Sequence, residues 1–149
     1  MKDEVALRFP ARAEHLALVR LVVTHLAEHH GAGLDLARMD DLRLAVSEAC
    51  ANAVEAYGRQ GRAGEVLVRC SVVPGEVTVE VEDHGGGFVL DDLVPHPPVE
   101  APERLHHEHG LGIPLMRQLA DRVEFHAVEE GTTVRLVVGP ERPRHHQLR

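Results

Sequence analysis

The sequence predicts an α/β chain of the α+β kind. It should form a two-layer sandwich, a mixed and mostly antiparallel sheet covered on one face by helices. Three observations predict it. Residues 66–72 and 77–81 alternate apolar and polar side chains on either side of a tight turn, and residues 123–127 and 134–138 do the same, so each pair reads as an antiparallel hairpin. Two long stretches near the start carry apolar residues at helical spacing. No regular strand–helix–strand alternation runs through the chain, which argues against a parallel dinucleotide-binding sheet.

Taken in order, Val5, Leu7 and Phe9 alternate with other residues and form a first strand, stopped by Pro10. Over 11–30, Leu16, Val19, Val23, Leu26 and Ala27 fall on one helical face, and Gly31 suits the helix end. A second helix spans 36–57, with Leu42, Ala45, Val46, Ala49 and Ala53 inward and Gly58 just past its end. Residues 61–64 turn the chain. Val66, Val68, Cys70 and Val72 line one strand face, Pro74-Gly75 turns it, and Val77, Val79 and Val81 answer. Residues 89–109 hold four prolines and four histidines and no periodicity; a connection of that length over a site reads as a lid. A short helix over 113–120 takes Pro114 in its first turn. Val123, Phe125 and Ala127, the turn Glu130-Gly131, and Val134, Leu136 and Val138 complete the sheet. Residues 1–139 therefore read as one domain and 140–149 as a polar tail.

The 149 residues are 44% hydrophobic and 27% charged, with a formal net charge of −8. That acidity argues against a nucleic-acid surface, which needs a basic patch. No apolar run is long enough to span a membrane, and residues 1–10 show no secretory core. The two cysteines, Cys50 and Cys70, sit inside apolar elements and read as buried thiols in a reducing cytoplasm.

Chemistry concentrates in four segments. Glu48 and Asn52 stand four residues apart, so both leave one face of the second helix, beside the small residues Ala45, Ala49, Ala53 and Ala56. By itself such a pair is a solvated helix face; as a site, Glu48 can draw a proton from a hydroxyl and Asn52 offers a neutral oxygen to Mg²⁺. Asp83 closes a strand and is followed by Gly85, Gly86, Gly87 and Phe88. It is either a turn former or an acceptor for a base amino group, with Gly85 and Gly87 letting the backbone reach the ring. Gly110-Leu111-Gly112 precedes a helix and is either a plain junction or a cradle for phosphates at a helix N-terminus. It is neither a Walker A loop nor a dinucleotide fingerprint. Gly131-Thr132-Thr133 is a hairpin turn whose hydroxyls can face a ligand. Together these segments look like a site for ATP and magnesium. His106, His107 and His109 lack further ligands at metal spacing, and His25 and His29 read as a solvated face.

These segments, in this order, resemble the GHKL ATPases, the superfamily of gyrase B and the histidine kinases. The N-box matches Glu48 to Asn52, the first glycine box Asp83-x-Gly85-x-Gly87-Phe88, the second Gly110-x-Gly112, and the last strand element Gly131-Thr132. Residues 45–54, Ala-Val-Ser-Glu-Ala-Cys-Ala-Asn-Ala-Val, are similar to the bacterial anti-sigma factor serine kinases, as are Phe9-Pro10-Ala11 and residues 131–136. The resemblance covers residues 4–138. It implies the GHKL (Bergerat) ATP-binding fold, with Asn52 on Mg²⁺ between the ATP phosphates and Glu48 as the base on the incoming hydroxyl. Asp83 would bind the adenine amino group, assisted by Thr132 or Thr133. Residues 89–109 would form the ATP lid, and Gly110, Leu111 and Gly112 the phosphate grip. It further implies a cytoplasmic homodimer that binds a sigma factor and phosphorylates a serine on a STAS-domain antagonist. The chain departs from the family in two places: Glu55 stands where His is common, and Glu108-His109 where a basic residue often precedes the second glycine box. A non-catalytic ATP-sensing module is the alternative. The eukaryotic-type kinase motif set is absent.

Overall fold

A computed structural model of the protein describes residues 3–59, 61, 63–84, 108–128 and 131–141. The elements are β1 (Asp3–Pro10), a 3₁₀ turn (Ala13–His15), α1 (Leu16–His29), α2 (Leu36–Arg59), β2 (Glu65–Val73), β3 (Glu76–Asp83), α3 (Glu108–Leu119), β4 (Arg122–Val128) and β5 (Gly131–Val138). The expected two-layer sandwich is found. The five strands run in the order β1-β2-β3-β5-β4, and every neighbouring pair is antiparallel. The sheet of the described residues is thus wholly antiparallel, not mixed. The second hairpin joins the first through its later strand, so β5 lies between β3 and β4.

Alternation sorts each strand into two faces. On the helix side, register stacks Val77 against Val138, Val79 against Leu136 and Val81 against Val134. On β2, Val68 and Cys70 stand opposite Val81 and Val79. All of these are buried. The helices cover them with Val19, Val23 and Leu26 of α1, Leu42, Ala45, Val46 and Ala49 of α2, and Met116 of α3. Each fully buried Val or Leu contributes roughly 1.5–3 kcal/mol. The opposite face is a lattice of charges, with Arg69 near Glu82 at 3.8 Å and Arg135 near Glu124 at 3.7 Å.

Three boundaries differ from the sequence expectation. α2 runs through Gly58 to Arg59, and the left-handed glycine that follows it is Gly61, with φ +64°. Gly58 is tolerated within the last turn, where its propensity cost is about 1 kcal/mol. α1 begins at Leu16, after the 3₁₀ turn, not at residue 11. α3 begins at Glu108, so Gly110 and Gly112 lie inside its first turns, and Pro114 stands in its interior. Pro114 has no N–H for the Gly110 carbonyl four residues earlier, and the glycine there leaves the backbone most able to adjust. Residues 85–107 and 142–149, with Gly85, Gly87, most of the expected lid and most of the tail, lie outside the described residues.

Candidate functional site

The site is built around α2. The helix starts cleanly because Asp35 Oδ1 accepts the backbone N–H of Arg38 at 2.8 Å, an N-cap bond to the third helical residue. From there Ala45, Ala49, Ala53 and Ala56 form a small-residue row that lets α2 lie close on the sheet. Asn52 stands beside that row. It is 6% exposed, and among the described residues its Nδ2 has no hydrogen-bond partner. A buried amide without a partner costs about 1–3 kcal/mol, so natural structures leave few such groups without a purpose. Glu48, one turn earlier on the same face, is half-buried.

The sheet supplies the second wall. The apolar ladder of β3 and β5 ends in a polar pair: Asp83 stands directly opposite Thr132, and both are buried. Alternation puts Thr133 on the other face, where its Oγ1 lies 3.4 Å from Glu82 Oε1. The structure therefore brings Asp83 and Thr132 to the helix side of the sheet and places Thr133 away from them. Gly131 explains itself here, because a Cβ at that position would overlap the carbonyl oxygen of Asp83. Only glycine lets β5 start this close to the end of β3.

Gly110, Leu111 and Gly112 are in the first turns of α3, whose leading N–H groups have no partners within the helix. α3 packs on α2 through the core residues Ile113 and Met116. Its far end is fixed by a residue that pattern reading overlooks. Arg38, 1% exposed, donates from Nε to the Gly139 carbonyl at 2.8 Å and from Nη1 to the Leu119 carbonyl at 2.8 Å and Asp41 Oδ2 at 3.0 Å. Its Nη2 reaches Asp121 Oδ1 at 3.2 Å, and Asp121 Oδ2 in turn accepts the Gly139 N–H at 2.7 Å. One guanidinium thus joins the start of α2, the C-terminal carbonyl of α3 and the end of β5. In sequence Arg38 looks like a charge in the first turn of an amphipathic helix; the one available signal is that Asp41 follows at i+3 and Asp121 closes the next helix.

The two thiols belong to the core rather than the chemistry. Burial pushes Cys50 up to about 12, with the Arg20 charge pulling the other way, and burial alone pushes Cys70 up to about 12. Protonated thiols are poor nucleophiles and poor metal ligands. His25 and His29 pack edge to face, with ring centroids 4.3 Å apart.

Residues 9–138 match the family described as the histidine kinase-like ATPase domain. The chain is similar to "Serine-protein kinase RsbW" of Bacillus pumilus, with 38% identity over 138 residues that cover 89% of this chain and 83% of the relative. The RsbW of Bacillus subtilis is 36% identical over 138 residues, covering 89% and 82%, and that of Bacillus velezensis 38% identical over 137 residues, covering 89% and 82%. A match across nearly every element described above, on a sheet and helix layer of the kind the GHKL resemblance implies, settles the family. The chain belongs to the histidine kinase-like ATPase domain family and, within it, to the serine-protein kinases of the RsbW type.

Proposed function

We propose that the protein is an ATP-dependent serine kinase that also holds a sigma factor and phosphorylates a serine on a STAS-domain antagonist of that complex. The observation that supports the site is a set of buried polar groups: Asp83 and Thr132, opposite each other on the sheet, and Asn52 of α2, whose amide nitrogen has no partner among the described residues. Asp83 accepts a hydrogen bond from the adenine amino group, and Thr132, opposite it, supports the base. Gly85 and Gly87, the glycines expected to admit the ring, lie outside the described residues. With α3 beginning at Glu108, Gly110 in its first turn offers a main-chain N–H to the phosphates, whereas Leu111 and Gly112 stand at the fourth and fifth helical positions, where the N–H groups are used within the helix.

Magnesium takes hard oxygen ligands, and Asn52 Oδ1 is the neutral oxygen that would share the ion with phosphate oxygens, while Asn52 Nδ2, which has no partner among the described residues, would donate to one of those oxygens. Bound there, Mg²⁺ would screen the phosphate charge. Glu48 takes the proton of the incoming serine hydroxyl as its oxygen bonds to the γ-phosphorus. The bond from that phosphorus to the β-phosphate oxygen breaks, and ADP leaves. Of the lid expected over residues 89–109, 108 and 109 open α3 and the rest lie outside the described residues. We place the protein in the cytoplasm, where its partners act, as a homodimer that binds neither nucleic acid nor membrane. Among the described residues no helix is long and apolar enough to cross a membrane.

The test is phosphate transfer from labelled ATP to a STAS-domain protein. Glu48→Gln should still bind Mg-ATP but transfer at least about 100-fold more slowly, since a positioned base contributes roughly 10²–10⁴. Absence of phosphoserine with wild type, while ATP still alters affinity for the sigma factor, would replace the kinase by an ATP-sensing binding module.

A further inference from the structure

We infer that Tyr57 is a positioning residue for the base-reading carboxylate, a wedge that splays the sheet open beside Asp83. The inference rests on the nucleotide reading of Asp83 given above. The β2–β3 ladder pairs Val68 with Val81 and ends at Leu67 opposite Glu82. Two residues further, the same register would set Glu65 opposite His84, and in an antiparallel sheet facing residues can bond directly through their main chains. Here Tyr57, from the last turns of α2, stands between them. Its Oη donates to the Glu65 carbonyl at 2.7 Å and accepts the His84 N–H at 2.9 Å. The hydroxyl occupies the span of a ladder bond and holds the two strands apart by its own width.

The ring that carries the hydroxyl is fixed. Tyr57 is 4% exposed, and its ring lies so close on Gly64 that a Cβ there would overlap Cε1. The one O–H proton of a phenol goes to Glu65, and a lone pair takes the His84 N–H, so its donor capacity is fully used. On the other side of the strand Gly131 lies against the Asp83 carbonyl. The main chain from Asp83 to His84 is therefore gripped between a tyrosine hydroxyl and a glycine. A carboxylate that must meet one amino group gains directly from such preorganisation, because a small misplacement of a recognition group costs much of its effect. Without the hydroxyl, His84 N–H and Glu65 C=O are free to approach each other, and Asp83 turns with them.

The experiment measures binding of ATP and of inosine triphosphate, which lacks the 6-amino group, to the full chain by calorimetry. Wild type should prefer ATP, and Asp83→Asn should abolish the preference. Tyr57→Phe should weaken ATP about tenfold, the scale of one hydrogen bond to a charged group, and change inosine triphosphate by less than about twofold. Gly64→Ala, which pushes the ring but keeps the hydroxyl, should erode the same preference. Equal weakening of both nucleotides in Tyr57→Phe would mean general loosening and overturns the wedge, as does an undiminished preference for ATP. A wild type with no preference for ATP overturns the wedge together with the adenine reading. Loss of preference in Asp83→Asn alone overturns the wedge and leaves that reading standing. Should Tyr57→Phe fail to fold, hydrogen exchange in wild type decides: protection of the His84 amide supports the hydroxyl bond, and exchange at the rate of an open chain overturns it.

Discussion

The two ends of α2 handle buried polarity in opposite ways. At its start, Arg38 is as buried as any leucine, yet Nε and both Nη groups donate at 2.8–3.2 Å to two carbonyls and two carboxylates. Toward its other end, Asn52 is nearly as buried, and its amide nitrogen has no partner among the described residues. The first arrangement satisfies its members from within the chain and so is complete without a ligand. The second leaves capacity over. Burial alone does not separate a structural polar group from a functional one; the balance of donors and acceptors does.

The comparison breaks most visibly at Arg38. Arg38→Ala strips the buried Asp41 of its cation and should cost about 3–5 kcal/mol, as when one member of a buried ion pair is removed. Urea unfolding reads this directly, and a loss under 1 kcal/mol would show that the network is dispensable. Asp83→Asn comes next. Exchange of a charged acceptor for an amide should weaken ATP by roughly 10- to 150-fold, the equivalent of about 1.5–3 kcal/mol, and unchanged affinity would put the adenine elsewhere.

Asn52→Ala sharpens the contrast from the other side. It removes an unsatisfied amide, so the free protein should keep its stability within about 1 kcal/mol or gain slightly, while Mg-dependent nucleotide binding disappears. A large loss of stability without nucleotide would class Asn52 with Arg38. At neutral pH the smallest effect, none at all, lies in the core between the two ends. The folded state keeps the Cys50 and Cys70 thiols protonated up to about pH 12, whereas the unfolded chain releases those protons near 9. Stability is therefore unaffected below pH 9 and declines between 9 and 12. Both thiols should resist iodoacetamide at pH 8 until the protein is unfolded.

Strand alternation made the sheet legible, because a half-buried strand must repeat every two residues; Val77, Val79 and Val81 could face only one way. Asp83 and Thr132 were legible as candidates for the same reason, since each continues an apolar series with a polar residue. What alternation could not give was which strand of the second hairpin meets β3, and hence that Thr132, not Thr133, stands with Asp83. That is a matter of register, set by pairing across some fifty residues of chain. The Arg38 network was illegible because two of its four acceptors are main-chain carbonyls, which every sequence has, and one of the two carboxylates, Asp121, lies 83 residues away. The start of α3 is not legible because Pro114 reads as a first-turn residue, while the structure accepts it deeper, where Gly110 precedes it by four.

The place of β5 bears on how the chain is made. Among the described residues it follows every other element in sequence but is inserted between β3 and β4. Until residues 131–138 have been synthesised, β3 is an edge, its row of main-chain groups is unpaired, and Asp83 faces neither Thr132 nor Gly131. Elements that emerge earlier can collapse, but the sheet cannot close around them, and an open edge of this kind is prone to pair with another chain. Nascent protein should therefore acquire its nucleotide site late and in one step, when the last strand slides into the gap kept for it.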